Sequence, residues 1–400
     1  LERGHPARTW AKELAAEFPT FEKVPMKLKE RIQNNLVEIQ TKGLKRKLAS
    51  PCGIDLSSND YLGLAQDERL KNAMIEGVRR EGIGSTGSRL LRGERDCFAE
   101  VEKQFAEFKG TESSLYFSSG YQANIGLLQT FLEADDIVFS DELNHASLID
   151  GMRLSNARKI IFRHLEVDEI AKLLKETGCK GQKFLVTESL FSMDGDIAPL
   201  QKYAEICAET NTNLIIDEAH AVGIYGRKGS GLIGHFKIEK DVFLSINTAG
   251  KALGVSGAFI AGDIWAIEYL INKCRSFIFS TAPLPATADA LKVALEIVET
   301  EKGSRERLLN LSRFFRELLN ENGILVPLDN SQIVPILIGD SKKAVKIAES
   351  LQAKGFDVRA IRPPTVPENT SRLRVSLNVG LTKEIMREFI IKLNKEFNRK

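Results

Sequence analysis

The sequence predicts an α/β protein: a mostly parallel sheet with helices on both faces, followed by a smaller C-terminal α/β unit. Three observations carry this. Short β-branched runs alternate with longer amphipathic segments from about residue 54 onward, the pattern of successive βαβ units. Polar and ionisable residues gather where those runs end, the place where an open α/β sheet binds its ligands. The alternation also starts afresh after about residue 303, behind a long helical stretch. The expected organisation is an N-terminal helical segment at 1–53, a large domain at 54–302 and a small domain at 303–400.

Residues 1–50 are charged and read as helical, with Leu14, Phe18, Phe21, Leu28, Ile32 and Leu36 at loosely helical intervals. Strands are predicted at SSLYFSSG (113–120), DIVFSD (136–141), KIIFRH (159–164), KFLVTES (183–189), TNLIIDEAH (212–220), DVFLSIN (241–247) and GAFIAG (257–262). Helices are placed between them at 95–109, 122–132, 166–177 and 198–210, and beyond them at 286–300. In the C-terminal part the order is a helix near 303–321, strand QIVPILIGD, helix SKKAVKIAESLQAKG, then DVRAIRPP and RLRVSLN as strands, and a last helix at 382–397.

With 400 residues, 43% of them hydrophobic, the chain can bury a sizeable core. A formal charge of +2 from 56 basic and 54 acidic residues calls for neither nucleic acid nor an anionic membrane as partner. No apolar run approaches the roughly 20 residues of a membrane helix. The N-terminal residues mix Arg3, His5, Lys12, Glu13 and Glu17 without an apolar stretch, so no signal peptide is expected. Cys52, Cys97, Cys179, Cys207 and Cys274 are scattered and form no CxxC. They read as reduced thiols of a cytoplasmic protein, and no metal site is expected.

Five strand ends offer polar groups to one rim. These are Ser118, Ser119 and Gly120; Asp141 and His145; Glu188, Ser189 and Ser192; Asp217 and His220; Thr248 and Lys251. DEAH (217–220) has the letters of a helicase motif, but no G-x-x-x-x-G-K-[ST] phosphate loop accompanies it. The loop GIGSTGSRLLRGERD (82–96) is glycine-rich without being a dinucleotide fingerprint, and reads as a flexible turn. SSGYQAN (118–124) leads from a strand into a helix, whose first N–H groups favour an anion such as phosphate. His5, His164 and His235 read as ordinary histidines.

Lys251 is the unexpected residue. It follows an apolar strand and is hemmed by Gly250, Ala252, Gly254, Ser256 and Gly257. Desolvation there would lower its pKa and leave a nucleophilic amine that can hold an aldehyde covalently. An aldehyde cofactor on a pyridine ring needs an acid facing the ring nitrogen (Asp217) and a flat group over the ring (His145). It also needs a phosphate cradle (Gly120, Tyr121, Thr248) and a donor to the ring hydroxyl (His220 or Ser192). These are the requirements of pyridoxal phosphate.

The motifs SSNDYLG (57–63), GSTGSRLLRG (84–93), SGYQAN (119–124), NHASLIDG (144–151), TESLFSMDGD (187–196), DEAHAVG (217–223), NTAGKALGVSGA (247–258) and IRPPTVPENTSRLRVSL (361–377) occur in the order in which the α-oxoamine synthases carry theirs. The chain resembles that family from about residue 45 onward. The resemblance implies a fold-type I pyridoxal phosphate transferase that condenses a small amino acid with an acyl-CoA. The 361–377 stretch is most similar to the branch that takes L-alanine and a pimeloyl thioester in biotin synthesis.

The resemblance also implies residue roles. Lys251 would be the covalent anchor and base, Asp217 the partner of the pyridine nitrogen and His145 the ring stacked on it. His220 and Ser192 would meet the ring hydroxyl, and Gly120, Tyr121 and Thr248 the phosphate. Asn59, Arg362 and Thr365 would lie near the substrate, with Arg46 toward the acyl group and Arg372 or Arg374 on the carboxylate. A homodimer is implied, with RSFIFSTAPLP (275–285) crossing to the neighbour and Thr281 on its phosphate. The sequence departs from the family pattern at Leu381, where a histidine is common, and at Val222, where threonine is.

Overall fold

Six parallel strands and one reversed strand make the central sheet of the computed structural model, which describes residues 26–327 and 331–397. In chain order the strands are β1 (Ile54–Asp55), β2 (Ser113–Phe117), β3 (Ile137–Asp141), β4 (Arg158–Phe162), β5 (Lys183–Glu188), β6 (Thr212–Asp217), β7 (Leu244–Thr248), β8 (Ala258–Gly262), β9 (Ile333–Gly339), β10 (Phe356–Asp357), β11 (Arg359–Ile361) and β12 (Ser371–Ser376). The large sheet runs β2-β8-β7-β6-β5-β3-β4, and β8 is antiparallel to both neighbours. All seven strands predicted for the large unit are present. The other six point the same way, so their carboxyl ends share one rim.

Burial alternates along the strands because both faces are covered. On β3, Ile137 and Phe139 enter one apolar cluster and Val138 the other. Leu214 and Ile216 of β6 face the first cluster and Ile215 the second. This is the near-continuous apolar pattern of a sheet packed on both sides. Phe259 of β8 stacks on Phe105 of the helix Asp96–Lys109 at 4.1 Å, anchoring that helix to the sheet.

The C-terminal part forms a three-stranded antiparallel sheet, β11-β12-β9. The DVRAIRPP run divides in two: β10 pairs in parallel with β1, while β11 pairs with β12. Ile54 thus lies beside Phe356, and Ser57 Oγ donates to the Asp357 carbonyl at 2.7 Å. The first cluster runs without a break from the large sheet into β9, β12 and the helix Lys383–Phe397.

At the other end the helix Met26–Thr41 carries Leu28, Ile32 and Leu36, whereas Leu14, Phe18 and Phe21 lie outside the described residues. Contrary to expectation, the helix stops well before residue 50. Gly43 (φ 69°) ends it, with its N–H donating to Gln40 and that of Leu44 to Ile39, a glycine C-terminal cap. Among the described residues no helix is long and apolar enough to cross a membrane.

Candidate active site

β6 ends on Asp217, which is buried. Its Oδ1 accepts the Ala219 amide at 2.8 Å and its Oδ2 the Asn124 side-chain amide at 2.8 Å. The short turn lets the chain reverse and brings His220 back over the rim. Asn124 also donates to Ser147 Oγ at 2.8 Å, so one amide joins three strand ends. The first of them opens the helix Gly120–Phe131, where Ser119 accepts the Gln122 amide. Thr248, at the end of β7, packs so closely that a Cβ added to Gly120 would come 2.5 Å from its Cγ2. The helix N-terminus and Thr248 form a cradle that only glycine leaves open.

The β7–β8 connection holds Lys251 in place. Ala249 donates to the Gly257 carbonyl at 2.9 Å, and the Gly254 amide donates to the Lys251 carbonyl at 2.9 Å. Gly254 (φ 67°) and Gly257 (φ 84°) sit in the left-handed region. A Cβ at Gly254 would meet the Ala65 amide, and one at Gly257 the Phe117 carbonyl, both at 2.5 Å. The small residues around the lysine therefore serve backbone approach.

Lys251 Nζ donates to His220 Nε2 at 2.8 Å. His220 Nδ1 faces the buried Tyr61 hydroxyl at 2.7 Å, which in turn donates to Asn59 Oδ1 at 3.0 Å. Arg374 Nη2 donates to Asn59 at 3.1 Å and to the Tyr61 hydroxyl at 3.4 Å. One proton arrangement satisfies all of these: a neutral His220 with hydrogen on Nδ1. Burial, the Lys251 ammonium, Arg374 and His145 all hold the His220 imidazole well below its usual value. Burial likewise lowers the Lys251 amine to about 8, against the opposing pull of Asp217 and Glu188. Glu188, paired in register with Asp217, is pushed up by burial and by that carboxylate.

His145 caps the helix Ala146–Leu154, its Nδ1 accepting from the Ser147 amide at 3.2 Å. It is open to solvent on one side. Burial against the protein behind it, opposed by Asp217 and aided by Lys251, lowers its pKa.

The structure thus joins Lys251, His220, Tyr61, Asn59 and Arg374 in one hydrogen-bonded chain and Asp217, Asn124, Ser147 and His145 in a second. Asp217 acts on Lys251 and His145 through its charge, and Gly120 and Thr248 lie beside them. Ser192 joins through its backbone, its carbonyl accepting from Arg374 Nε at 2.5 Å. Arg372 turns away to Asp194 and the Met193 carbonyl. Tyr121 is exposed, bonded to Asp150, with its ring edge-on to His145 at 6.4 Å. Arg46 and Thr365 form a second cluster, with Nη2 of the arginine donating to Thr365 Oγ1 at 3.3 Å. Arg362 joins them through its carbonyl, which accepts the Thr365 amide at 3.0 Å, while its guanidinium donates to the Gly43 carbonyl. Thr281 is exposed, on a segment tied to the 84–93 loop by the Ala282 amide donating to Gly87. The two departures from the family pattern, Leu381 and Val222, are both buried in the apolar core.

Three residues at the site were not singled out from sequence. Tyr61 and Asn124 lie inside SSNDYLG and SGYQAN, and their place there was the available signal. Glu188 was noted only as a strand-end residue. His164 needs correction: both its ring nitrogens are engaged, by Asp141 and Asp196, unlike an ordinary surface or core histidine.

A sheet with one reversed strand, a half-buried lysine in the connection before it and a carboxylate on the adjacent strand end defines the fold-type I class of pyridoxal phosphate transferases. The chain belongs to the aminotransferase class I and II family, matched over residues 52–393, and within it to the α-oxoamine synthases, which are pyridoxal phosphate-dependent acyltransferases. A putative 8-amino-7-oxononanoate synthase of Geobacillus kaustophilus is 44% identical over 332 residues, 83% of this chain and 85% of that protein. The 8-amino-7-oxononanoate synthase of Lysinibacillus sphaericus is 38% identical over 92% of this chain and 98% of its own length. Among solved structures, serine palmitoyltransferase of Sphingomonas wittichii superposes with a TM-score of 0.86 at 28% identity, covering 94% of this chain and 98% of that one. The 8-amino-7-oxononanoate synthase of Francisella tularensis gives 0.76 at 32%, covering 86% and 98%.

Proposed function

We propose that the protein joins L-alanine to a pimeloyl thioester with loss of CO₂ and CoA, giving the amino ketone of biotin synthesis. The observation that carries the chemistry is the enclosed Lys251 amine, its pKa lowered to about 8 beside the buried Asp217 carboxylate. The relatives named 8-amino-7-oxononanoate synthase, at 38% to 45% identity, support the choice of substrates.

The residues present fit pyridoxal phosphate. The Gly120–Thr248 cradle would take the phosphate, joined by Tyr121 and, from a second copy, Thr281. Asp217 would face the ring nitrogen, His145 would lie on the ring, and His220 and Ser192 would meet the ring hydroxyl. When bound, the cofactor supplies an aldehyde for the amino nitrogen and an electron sink for the α-carbon. Lys251 would hold it covalently and would supply the base for the α-proton; a pKa near 8 suits both tasks. Neutral His220 and His145 hold hydrogen bonds without adding charge. Asn59 orients Arg374 for the substrate carboxylate, and Arg372 braces the hairpin beside it. Arg46, Arg362 and Thr365 meet the acyl thioester at the second cluster.

The site is expected to be shared in a homodimer. Ile83, Leu91 and Phe279 are exposed apolar side chains near the segment that carries Thr281, consistent with a covered face. A competent monomer in sedimentation with activity would overturn the shared site. The five free thiols suit a reducing compartment, and we place the reaction in the cytoplasm.

The TM-score of 0.86 against serine palmitoyltransferase favours a second reading, in which serine and a longer acyl chain are used. Glycine-using siblings are tested alongside. The experiment pairs alanine, glycine and serine with short, medium and long acyl-CoAs, pimeloyl-CoA included, and follows CoA release. Preference for serine with a long chain, or for glycine, would replace the alanine assignment.

A further inference from the structure

His164 follows β4 on the same rim as the candidate site. Its Nδ1 lies 2.9 Å from Asp141 Oδ1 and its Nε2 lies 2.9 Å from Asp196 Oδ2. Asp141 is buried at the end of β3 and also accepts the amides of Leu143 and Leu165 at 2.8 and 3.0 Å. A neutral imidazole would set a lone pair against one of the two carboxylates. The geometry therefore calls for an imidazolium donating in both directions. Burial works against that charge, but the bonds to Asp141 and Asp196 outweigh it and raise the pKa to about 10. Phe191 closes one edge of the ring at 4.5 Å.

Asp196 belongs to a small hairpin, bridged at Leu190 and Ile197 and closed by the Phe191 amide donating to the Asp196 carbonyl at 3.0 Å. The far side of the hairpin faces the C-terminal unit. Arg374 Nε donates to the Ser192 carbonyl at 2.5 Å, Arg372 pairs with Asp194, and Ser331 Oγ donates to the Gly195 carbonyl. Gly195 (φ 70°) packs so tightly that an added Cβ would lie 2.2 Å from the Ile333 carbonyl. The hairpin is thus a spacer between the rim and β12, and the guanidinium it orients is the one beside Tyr61 and His220.

We propose that His164 is a positioning residue: bridging Asp141 and Asp196, it locks the 190–197 hairpin to the rim and so fixes Arg374 for the amino-acid carboxylate. The tether stands on geometry alone; its effect on substrate rests on the reading of Arg374 given above.

Three variants test it: Asp196→Ala, His164→Gln, and His164→Gln combined with Asp196→Asn. In the double variant the Gln carbonyl accepts from the Asn amide while its own N–H donates to Asp141, rebuilding the bridge without charge. Hydrogen exchange at the Phe191 and Gly195 amides is read in the apoprotein, and the KM for amino acid and kcat in the holoenzyme. Each single variant is expected to raise exchange and KM by about tenfold with kcat changed by no more than about threefold, and the double variant to recover most of both. Unchanged exchange and KM in the single variants, or a double variant no better than the worse single, would overturn the proposal. If His164→Gln does not fold, Asp196→Ala decides alone, since it removes the Nε2 acceptor and leaves the Asp141 bond intact. Should the unaltered enzyme turn over no amino acid with any thioester, the functional reading fails, while apoprotein exchange still decides the tether.

Discussion

Lys251 Nζ lies 2.8 Å from Nε2 of His220, so the reactive amine is held by a neutral acceptor. Asp217 and Glu188 draw the lysine toward its charged form, yet burial prevails. A carboxylate in the place of His220 would have given a stable ion pair and an unreactive ammonium.

This fixes a pH dependence. The folded-state pKa of Lys251 is about 8, below its ordinary 10.5, so the uncharged amine is available early. Pyridoxal phosphate uptake by the apoprotein should accelerate with pH and level off above about 8, as followed by absorbance. Because the unfolded chain binds this proton more tightly, burying the ammonium costs stability fully below about 8, and the cost fades as pH rises toward 10.5. Lys251→Met apoprotein should therefore exceed wild type in melting temperature at pH 7 by more than at pH 10.

Replacing the lysine outright tests the anchor. Lys251→Ala should lose the visible absorbance of the covalently held cofactor and at least about a thousandfold in turnover, at the upper end of what a positioned base supplies. A yellow, active variant would remove Lys251 from the mechanism.

Asp217→Ala removes the carboxylate proposed for the ring nitrogen and leaves Asn124 and the Ala219 amide without their acceptor. The cofactor dissociation constant should rise at least about tenfold, or about 1.4 kcal/mol, measured by equilibrium dialysis. Unaltered affinity with unaltered turnover would count against the assignment.

Away from the chemistry, Lys109 and Glu218 form an ion pair from which solvent is excluded, and Glu218 also accepts the Leu232 and Ile233 amides at 2.6 and 3.1 Å. Lys109→Met strands a buried carboxylate and should lower unfolding free energy by about 3–5 kcal/mol in urea titration. Adding Glu218→Gln should recover part of the loss, since the neutral amide still accepts from both backbone groups.

The strands were legible because burial on both faces leaves unbroken β-branched runs such as Leu214–Ile216. Asp217, His220, Thr248 and Lys251 were legible because they end those runs. The reversal of β8 was not drawn from sequence, although only nine residues separate Thr248 from Ala258, too few for a crossover helix. His164 was misread for a different reason: its partners lie 23 and 32 residues away, at the end of β3 and in the 190–197 hairpin. Only the three-dimensional rim brings them together, and periodicity carries no trace of that meeting. The same holds for Arg372 and Arg374, which share a face of β12 and reach neighbouring residues of the hairpin, Asp194 and Ser192.

The pairing of β1 with β10 and the arrival of Arg374 on β12 set an order of events during synthesis. A chain leaving the ribosome can finish its large sheet once residue 262 has emerged, with the lysine loop in place. The stretch around Ile54–Asp55 still waits for residues made some 300 positions later, and the arginine waits longer still. Until then the nascent protein shows an uncovered apolar flank, a natural client for chaperones, and vitamin captured early would sit in a half-built pocket.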